Sequence, residues 1–335
     1  MQFKICVIGC GGIAFQMHGY AYRKYAALHN DTRLAACCDI DEKKAHDFKE
    51  KFGFEKSYTD FRVMLREEKP DAVCLNAPVP LTASLACEIL KAGYPLMMEK
   101  PPGRNREETF DILRAAENSG KIHQVAFNRR FIPILDFLVR ELREQYKPED
   151  IQSIGCEFFR VNRRDPDFST TAIHGIDTVR YIAGADYQEI HFYYQEMPEI
   201  GKGVGSFFLH GLFSSGASVQ LRFCPMAGVR FERITVNAGD SSYLALLPYN
   251  DSCDSPGIYL HYRNDKLQKQ ISGEEICGST ELFMTNGFYQ EDAAFFDAVK
   301  AGRQPESNLY SAIQPVEIAD YIRKREKYYT VEGRR

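Results

Sequence analysis

The sequence predicts a two-domain α/β protein, in which a doubly wound parallel sheet is followed by an α+β domain with a large, mainly antiparallel open sheet. Three observations lead to this prediction. The chain has 335 residues, and at roughly 150 residues per domain this length accommodates about two cores. Apolar runs alternate with helix-period stretches up to about residue 125, whereas strand-like patterns dominate after about residue 150. We therefore expect domains at 1–124 and 125–335.

The first half contains short apolar runs with little alternation, as expected of parallel strands that helices cover on both faces. Glycines such as Gly53, Gly93 and Gly120 close several of the helical stretches between them. Repeated strand and helix units predict right-handed crossovers. The predicted strands are Phe3–Ile8, Leu34–Cys38, Ala72–Asn76, Leu96–Met98 and Ile122–Phe127. The predicted helices are Gly12–His29, Asp41–Phe52, Asp60–Glu68, Leu81–Ala92 and Arg106–Ser119.

The second half differs because Gly216–Phe223 alternates strictly, with Val219, Leu221 and Phe223 on one face. Such a half-solvated strand is typical of an antiparallel sheet. The other predicted strands are Ile151–Val161, Ile190–Gln195, Phe231–Ala238, Ser242–Leu247 and Gly257–Tyr262. The predicted helices are Ile173–Ile182, Gln290–Lys300 and Ser311–Lys324.

Composition excludes several classes of function. Lys and Arg number 42 against 46 Asp and Glu, so no cationic surplus is present to bind nucleic acid. No apolar run is long enough to cross a membrane, and the start MQFKICVIG leads into a glycine turn instead of a cleavage site. We expect a cytoplasmic protein with neither nucleic acid nor membrane as a partner.

Cysteine and histidine spacing argues against disulfides and metals. The 10 cysteines contain no C-x-x-C pair, which favours reduced, buried thiols. The 8 histidines are dispersed and form no H-E-x-x-H motif. We therefore predict no metal site.

The turn Gly9-Cys10-Gly11-Gly12-Ile13-Ala14 fits G-x-G-x-x-A between an apolar strand and a helix. Gly9 allows the tight turn, Gly11 lets the backbone approach a pyrophosphate, and Ala14 permits close packing of helix and strand. The helix N-terminus then faces the anion. This context predicts a Rossmann dinucleotide site.

Asp39 ends the second predicted strand. A carboxylate there accepts both ribose hydroxyls and repels a 2′-phosphate, which favours NAD over NADP as cofactor. An alternative is that Asp39 and Asp41 cap the next helix.

Lys100 follows a predicted strand in the segment Glu99-Lys100-Pro101-Pro102-Gly103. Ligands of open α/β sheets bind at this carboxyl edge. Apolar walls and a cationic nicotinamide ring would disfavour the ammonium form, so the amine is a candidate proton acceptor. Pro101 is a candidate for a cis bond, and the alternative for E-K-P is a surface turn.

Taken together, these motifs resemble the Gfo/Idh/MocA oxidoreductase family over nearly the full chain. The resemblance rests on their order: the glycine turn, Pro78, E-K-P-P-G, Phe127-Asn128-Arg129-Arg130-Phe131, and His174-x-x-Asp177. It implies NAD(P)-dependent hydride transfer at a sugar or polyol carbon, and a second domain whose open sheet supports a homodimer or homotetramer. The implied cofactor contacts are Gly9, Gly11, Gly12, Ile13, Asp39, Asn76, Pro78, Glu99 and Lys100.

The same resemblance gives Lys100 a substrate contact and makes His174 the second proton-handling group. Asp177, at i+3 from His174, is a candidate to orient the imidazole. The family often has an acid where this chain has Thr170, and a histidine where it has Thr82. The missing acid puts polyol dehydrogenation in doubt unless Asp167 or Asp177 replaces it.

Arg163 and Arg164 are candidates to clamp a phosphate or carboxylate on a sugar, and the alternative is that both are solvated. Together with Lys100, Thr170 and His174 they complete the predicted substrate-binding residues. The leading hypothesis is a dehydrogenase or reductase of a carbohydrate-like alcohol. The alternatives are an NAD-dependent glycosidase that uses transient oxidation, or a non-catalytic sensor of NAD(H) or sugar.

Overall fold

A computed structural model of the chain describes residues 2–248 and 256–331. The chain forms two compact units that are not contiguous in sequence. The first unit contains residues up to 128 together with 287–313, and the second contains 129–286 together with the residues from 314 onwards. The sequence predicted one boundary at residue 124, with residues 287–313 in the second domain.

The first unit contains a six-stranded sheet in the order β3-β2-β1-β4-β5-β6, in which every neighbouring pair is parallel. The doubly wound sheet predicted from the sequence is therefore confirmed. β3 was not predicted because its three residues are polar and largely exposed. The strands are β1 (Phe3–Ile8), β2 (Thr32–Cys38), β3 (Lys56–Tyr58), β4 (Ala72–Leu75), β5 (Leu96–Glu99) and β6 (His123–Ala126).

The helices of this unit lie close to their predicted positions. The first begins as a π-helical turn, Ala14–His18, that buries Ala14 and His18 and continues into α1. The helices are α1 (Gly19–Leu28), α2 (Glu42–Phe52), α3 (Phe61–Glu68), α4 (Val79–Lys91) and α5 (Arg106–Ser119).

Residues 287–313 complete the first unit for two physical reasons. The helix Phe288–Lys300 packs the ring of Phe296 against three rings of the N-terminal part. The centroid of Phe296 lies 6.1 Å from that of Phe3, 6.0 Å from that of Tyr22 and 4.9 Å from that of Tyr25. Ser307 then covers the edge strand β6, accepting from Val125 N at 2.7 Å and donating its hydroxyl to Val125 O at 2.8 Å. An unprotected edge would invite pairing with another chain.

The second unit contains a nine-stranded sheet in the order β14-β13-β12-β11-β7-β10-β9-β8-β15. Only β7 and β10 pair in parallel within it. The mainly antiparallel sheet is therefore confirmed, and β9, β14 and β15 are additions that the sequence did not predict. The strands are β7 (Ile151–Phe159), β8 (Tyr187–Glu196), β9 (Gly205–Phe213), β10 (Ser218–Cys224), β11 (Phe231–Ala238), β12 (Ser241–Leu246), β13 (Ile258–Arg263), β14 (Lys266–Ser272) and β15 (Tyr328–Thr330).

The remaining helices, except the short α9, contribute apolar side chains to one of the two cores. They are α6 (Pro133–Gln145), α7 (Ser169–Ala183), α8 (Gly273–Cys277), α9 (Leu282–Thr285), α10 (Phe288–Lys300) and α11 (Leu309–Lys324). Among the described residues, no helix has the length and apolar content needed to span a membrane. The nine cysteines in this part of the chain are all free thiols.

Candidate active site

The glycine turn is held against β4 by direct backbone packing. Gly9 has φ +92°, and a Cβ there would lie 2.8 Å from the carbonyl carbon of Asn76 and closer still to its oxygen. Gly9 N donates to Cys38 O at 2.8 Å, and Asn76 N donates to Ile8 O at 2.7 Å. Only glycine fits this position, for steric and conformational reasons.

The next residues of the turn leave their backbone open. A Cβ added at Gly11 or Gly12 would meet no atom within 4 Å, and the side chain of Ile13 is 39% exposed. Ala14 is buried, as close packing of helix and strand requires. Because the first N–H groups of a helix lack partners within the helix, this open backbone fits an anionic pyrophosphate.

Asp39 fixes the glycine turn to the end of β2. Its Oδ2 accepts from Cys10 N at 2.9 Å, and its Oδ1 accepts from Asp41 N at 3.0 Å. Asp41 caps α2, accepting from Lys43 N and Lys44 N. The capping alternative therefore applies to Asp41 alone, while Asp39 joins the residues that surround the turn.

Pro78 and Thr82 shape the start of α4. The Pro78 carbonyl accepts from Leu81 N at 2.8 Å, and the buried Thr82 hydroxyl donates to Ala77 O and Pro78 O, both at 3.2 Å. The position where the family often has a histidine therefore carries a hydroxyl that is hydrogen-bonded to the local backbone.

The peptide bond between Lys100 and Pro101 is cis, as the sequence suggested. Lys100 is partly exposed at the carboxyl end of β5. Glu99 Oε2 accepts from Lys100 N at 3.1 Å, while Glu99 Oε1 lies 3.0 Å from His18 Nε2. The carboxylate before Lys100 is thus held from two sides.

His18 forms a buried network with Glu99 and Asp292, which we call the His18 network. Its Nδ1 lies 3.0 and 3.1 Å from the two carboxylate oxygens of Asp292. Burial alone would lower the pKa of His18, but the charge and hydrogen bond of Asp292, followed by those of Glu99, raise it well above its usual value. Sequence analysis did not predict this network.

Glu291 lies beside the network. Among the described residues, His18, Glu291 and Asp292 form the one group of ligand-type side chains whose candidate atoms fall within 4.8 Å of one another. Both nitrogens of the imidazole are already hydrogen-bonded to carboxylates. We therefore interpret the group as an ion-pair network.

In the second unit, His174 lies on α7 and is buried. Arg129 Nη1 approaches His174 Nε2 at 3.4 Å. Because a guanidinium donates and never accepts, this contact uses the lone pair on Nε2. The arginine next to His174 belongs to the Phe127–Phe131 motif on which the family resemblance partly rested.

Glu232 holds Arg129 in this position and also pairs with Arg160; we call these three residues the Glu232 cluster. Glu232 accepts from Arg129 Nη2 at 2.8 Å and from Arg129 Nε at 3.1 Å, and it pairs with Arg160 Nη2. Burial raises the pKa of Glu232, but the charges and hydrogen bonds of the two arginines outweigh it and lower the pKa to about 2.

Asp177, expected to orient the imidazole, pairs with Arg130. Both of its carboxylate oxygens accept from Arg130, one of them from Nε at 2.8 Å, and the pair is buried. The i, i+3 spacing places Asp177 and His174 on similar faces of α7. Arg130 binds the carboxylate more strongly than an imidazole would, because it donates two parallel hydrogen bonds.

The acid missing at Thr170 is not replaced by the two carboxylates considered from the sequence. Thr170 Oγ1 donates to Asp167 O at 3.1 Å. Asp167 Oδ1 accepts from Ser169 N at 3.1 Å and from the Ser169 hydroxyl at the start of α7. Asp167 is thus engaged locally, and Asp177 pairs with Arg130.

Arg163 and Arg164 are each paired with a side chain two positions away. Arg163 Nε donates to Asp165 Oδ2 at 2.6 Å, and Arg164 Nε donates to Asn162 Oδ1 at 3.0 Å. These local bonds favour the solvated alternative over a preformed clamp.

Two residues that were not predicted from the sequence carry a signal in their position. Glu232 occupies a buried register of β11, in phase with Ile234 and Val236. Asp292 falls on the apolar face of α10, four residues after Phe288 and three before Phe295. A charged residue at an apolar-face position indicates a buried partner.

Comparisons with known proteins agree with this fold. Residues 3–127 match the Gfo/Idh/MocA family, described as an oxidoreductase family with an NAD-binding Rossmann fold. The match covers less than half of the chain, and it shows that these residues are similar to that family.

Two curated relatives are similar over part of the chain. D-glucoside 3-dehydrogenase of Escherichia coli is 32% identical over 142 residues, which are 42% of this chain and 38% of that protein. Myo-inositol 2-dehydrogenase of Thermotoga maritima is 26% identical over 200 residues, which are 56% of this chain and 57% of that protein. The chain therefore matches less than two thirds of the length of either relative.

A solved structure is similar over the whole fold. Levoglucosan dehydrogenase in complex with NADH and levoglucosan aligns with a TM-score of 0.83 at 19% identity, covering 99% of both chains. At this identity, the likeness concerns the fold.

Proposed function

We propose that this protein is an NAD-dependent dehydrogenase or reductase that acts on a hydroxyl carbon of a sugar, sugar derivative or polyol. The observation that carries the proposal is the glycine turn, in which Gly9 packs against Asn76 while Gly11 and Gly12 leave the backbone open. The family match supports the cofactor. The names of the relatives, which are dehydrogenases of a glucoside and an inositol, support the substrate class.

The cofactor, when bound, supplies the hydride acceptor or donor at C4 of its nicotinamide. We propose Lys100 and His174 as the groups that handle the hydroxyl proton, and Lys100, Arg163, Arg164, Thr170 and His174 as substrate contacts. Asp177, also predicted from the sequence to assist at this step, pairs with Arg130. The free thiols support a cytoplasmic location, and we propose a homodimer or homotetramer as the working form.

Cofactor binding is tested by calorimetric titration of the purified chain with NADH, NAD and NADP. Gly12→Ala is the informative variant, because an added Cβ meets no protein atom and any loss of affinity reports contact with the ligand. We expect about tenfold weaker NADH binding with an unchanged unfolding midpoint. Unchanged affinity in Gly12→Ala, or no heat with any of the nucleotides, contradicts the proposal.

The preference for NAD is tested with Asp39→Asn. Asparagine keeps an acceptor oxygen for Cys10 N or Asp41 N but removes the charge that repels a 2′-phosphate. We expect the ratio of NADP to NAD affinity to rise about tenfold or more. A ratio that stays constant shows that Asp39 does not set the preference.

Activity is tested by following NADH absorbance with a panel of glucosides, inositols and anhydrosugars. Lys100→Met and His174→Asn should each lower turnover at least about a hundredfold. Full turnover in both variants contradicts the assigned roles. A glycosidase that uses transient oxidation is the second candidate, because Asp167 accepts a hydrogen bond from Ser169 and Asp177 pairs with Arg130. Hydrolysis of a glycoside without net NADH would identify it.

A further inference from the structure

His18 lies at the centre of the first unit, with its imidazole completely buried. Its ring stacks on Tyr22 at a centroid distance of 5.7 Å and meets Phe288 edge-on at 5.0 Å. Each ring nitrogen points at a carboxylate, Asp292 on one side and Glu99 on the other. The contacts therefore leave the imidazole one arrangement of hydrogen bonds.

This arrangement requires a proton on both nitrogens. An ionised carboxylate only accepts, so an imidazole between two of them donates from Nδ1 and from Nε2. A buried imidazolium is stable only when it is paired and hydrogen-bonded, and His18 is both. The ring is thus a cationic bridge between α10 and the end of β5.

The bridge continues to Lys100 through one side chain. His18 binds Oε1 of Glu99, and Oε2 of the same carboxylate accepts the backbone N–H of Lys100 at 3.1 Å. β5 ends at Glu99, and Pro101 has no N–H to donate. The direction in which the chain leaves the strand is consequently held by the Glu99 carboxylate.

We propose that His18 and Asp292 are positioning residues for Lys100, acting through Glu99 as a buried charged relay. The proposal rests on the proposed function only in taking Lys100 as the proton-handling group. The relay itself lies within the first unit and can be measured without a substrate.

Other titratable groups face the relay and enter its charge balance. Asp292 and Glu291 come from α10, Tyr22 from α1 and Cys74 from β4, while Lys100 contributes a positive charge beside Glu99. Burial raises the pKa of Asp292 to about 6, although His18 opposes that shift. Acidification therefore neutralises Asp292 first and leaves the imidazolium paired with Glu99.

The first test of the relay measures the protonation of the His18 ring by nuclear magnetic resonance of the full chain labelled with ¹⁵N-histidine. The His18 signal is assigned as the one that is lost in His18→Gln. We expect both ring nitrogens to keep their protons above the pH at which an ordinary histidine loses one, because the pKa of His18 is raised by its two carboxylate partners. In Asp292→Asn, the ring should lose a proton at a lower pH than in the parent. A neutral His18 ring in the parent at about pH 7 would overturn the proposal.

Positioning of Lys100 is tested by competitive acetylation of the lysines, read by mass spectrometry. Asp292→Asn should change the labelling rate of Lys100 relative to other lysines by about threefold or more, since a displaced Glu99 changes its surroundings. Asp297→Asn is the matched control, because Asp297 lies on the same helix and accepts from the Tyr25 hydroxyl at 2.6 Å instead of from His18. Equal Lys100 labelling in the parent and in Asp292→Asn would overturn the proposal.

A kinetic arm applies once a substrate is known. We expect Asp292→Asn and His18→Gln to lower kcat about tenfold while KM and NADH affinity stay within about twofold, and Asp292→Glu to restore part of kcat. A rise in KM with unchanged kcat would overturn the positioning role. Failure of NADH to bind would contradict the proposed function and leave the relay intact. The ¹⁵N-histidine spectra and the lysine acetylation test the relay without cofactor or substrate.

Discussion

Each unit buries a histidine among charged side chains, but the neighbours have opposite sign. His18 in the first unit lies between the carboxylates of Glu99 and Asp292, whereas His174 in the second unit faces the guanidinium of Arg129. The first ring donates from both nitrogens, and the second offers a lone pair. The same residue type thus has a fixed charge in one unit and an acceptor nitrogen in the other.

The two regions also differ in how they respond when a partner is lost. Carboxylates that lose a cation can take up protons, and Asp292, whose pKa burial raises to about 6, does so readily. Arginines cannot give up their protons under any ordinary condition. The loss of stability on removing a partner from the Glu232 cluster should therefore not depend on pH. The loss on removing a partner from the His18 network should become smaller in acid.

The largest expected effect is on the second unit. Glu232→Ala leaves the buried Arg160 and the partly buried Arg129 close together without their carboxylate. We expect a loss of about 3–5 kcal/mol in the free energy of unfolding, the same at neutral and mildly acidic pH. Urea denaturation followed by circular dichroism measures it.

The control for this variant is Asp165→Ala, which breaks the half-exposed pair with Arg163 and should cost less than about 1 kcal/mol. A loss below about 1 kcal/mol in Glu232→Ala would show that the cluster does not stabilise the unit.

In the parent chain, acid should lower the stability of the second unit through Glu232. The folded-state pKa of Glu232 is about 2 against an ordinary value of 4.5, so the unfolded chain binds more protons between these values. Its contribution of about 3 kcal/mol is present above pH 4.5 and is lost as the pH falls towards about 2. Hydrogen exchange of β11 peptides across this range measures it, and protection that does not fall with pH would contradict the assignment.

His18→Leu should destabilise the first unit by about 2 kcal/mol above neutral pH, because Glu99 and Asp292 then face each other without a cation. The loss should shrink as the pH falls, because Asp292, without the His18 cation that lowers its pKa, takes up a proton more readily. In the parent, the stabilisation by His18 is complete below its ordinary pKa of 6.5 and is lost as the pH rises through its raised folded-state value.

Hydrogen exchange of α10 peptides across this pH range measures the destabilisation in His18→Leu and the pH dependence of stability in the parent. Destabilisation that does not depend on pH would show that proton uptake by Asp292 does not relieve the network.

The smallest effect is expected at Arg163 and Arg164. Alanine at either position should change the free energy of unfolding by less than about 0.5 kcal/mol, since both side chains bond locally near the surface. If they contact substrate, KM should rise for sugars that bear a phosphate or carboxylate and stay constant for neutral sugars. Equal KM values for charged and neutral sugars in both variants would exclude them from the site.

The parts of the site that are local in sequence were the parts that could be predicted. The glycine turn can be recognised from six consecutive residues, because its steric requirements fall within them. The parallel sheet can be recognised from its short apolar runs alone. His18, by contrast, is 81 positions from Glu99 and 274 from Asp292, and no local pattern joins them. The pairing of Asp177 with Arg130, 47 positions away, likewise competes with a local i, i+3 spacing that sequence alone cannot rank.

The return of residues 287–313 to the first unit has a consequence for biosynthesis. A nascent chain that has emerged only to residue 128 lacks Phe296 for its core, Asp292 for the imidazole and Ser307 for the edge of its sheet. Until the ribosome has released about residue 313, that sheet stays open on one side. The first unit can therefore finish folding only after residue 313 has emerged.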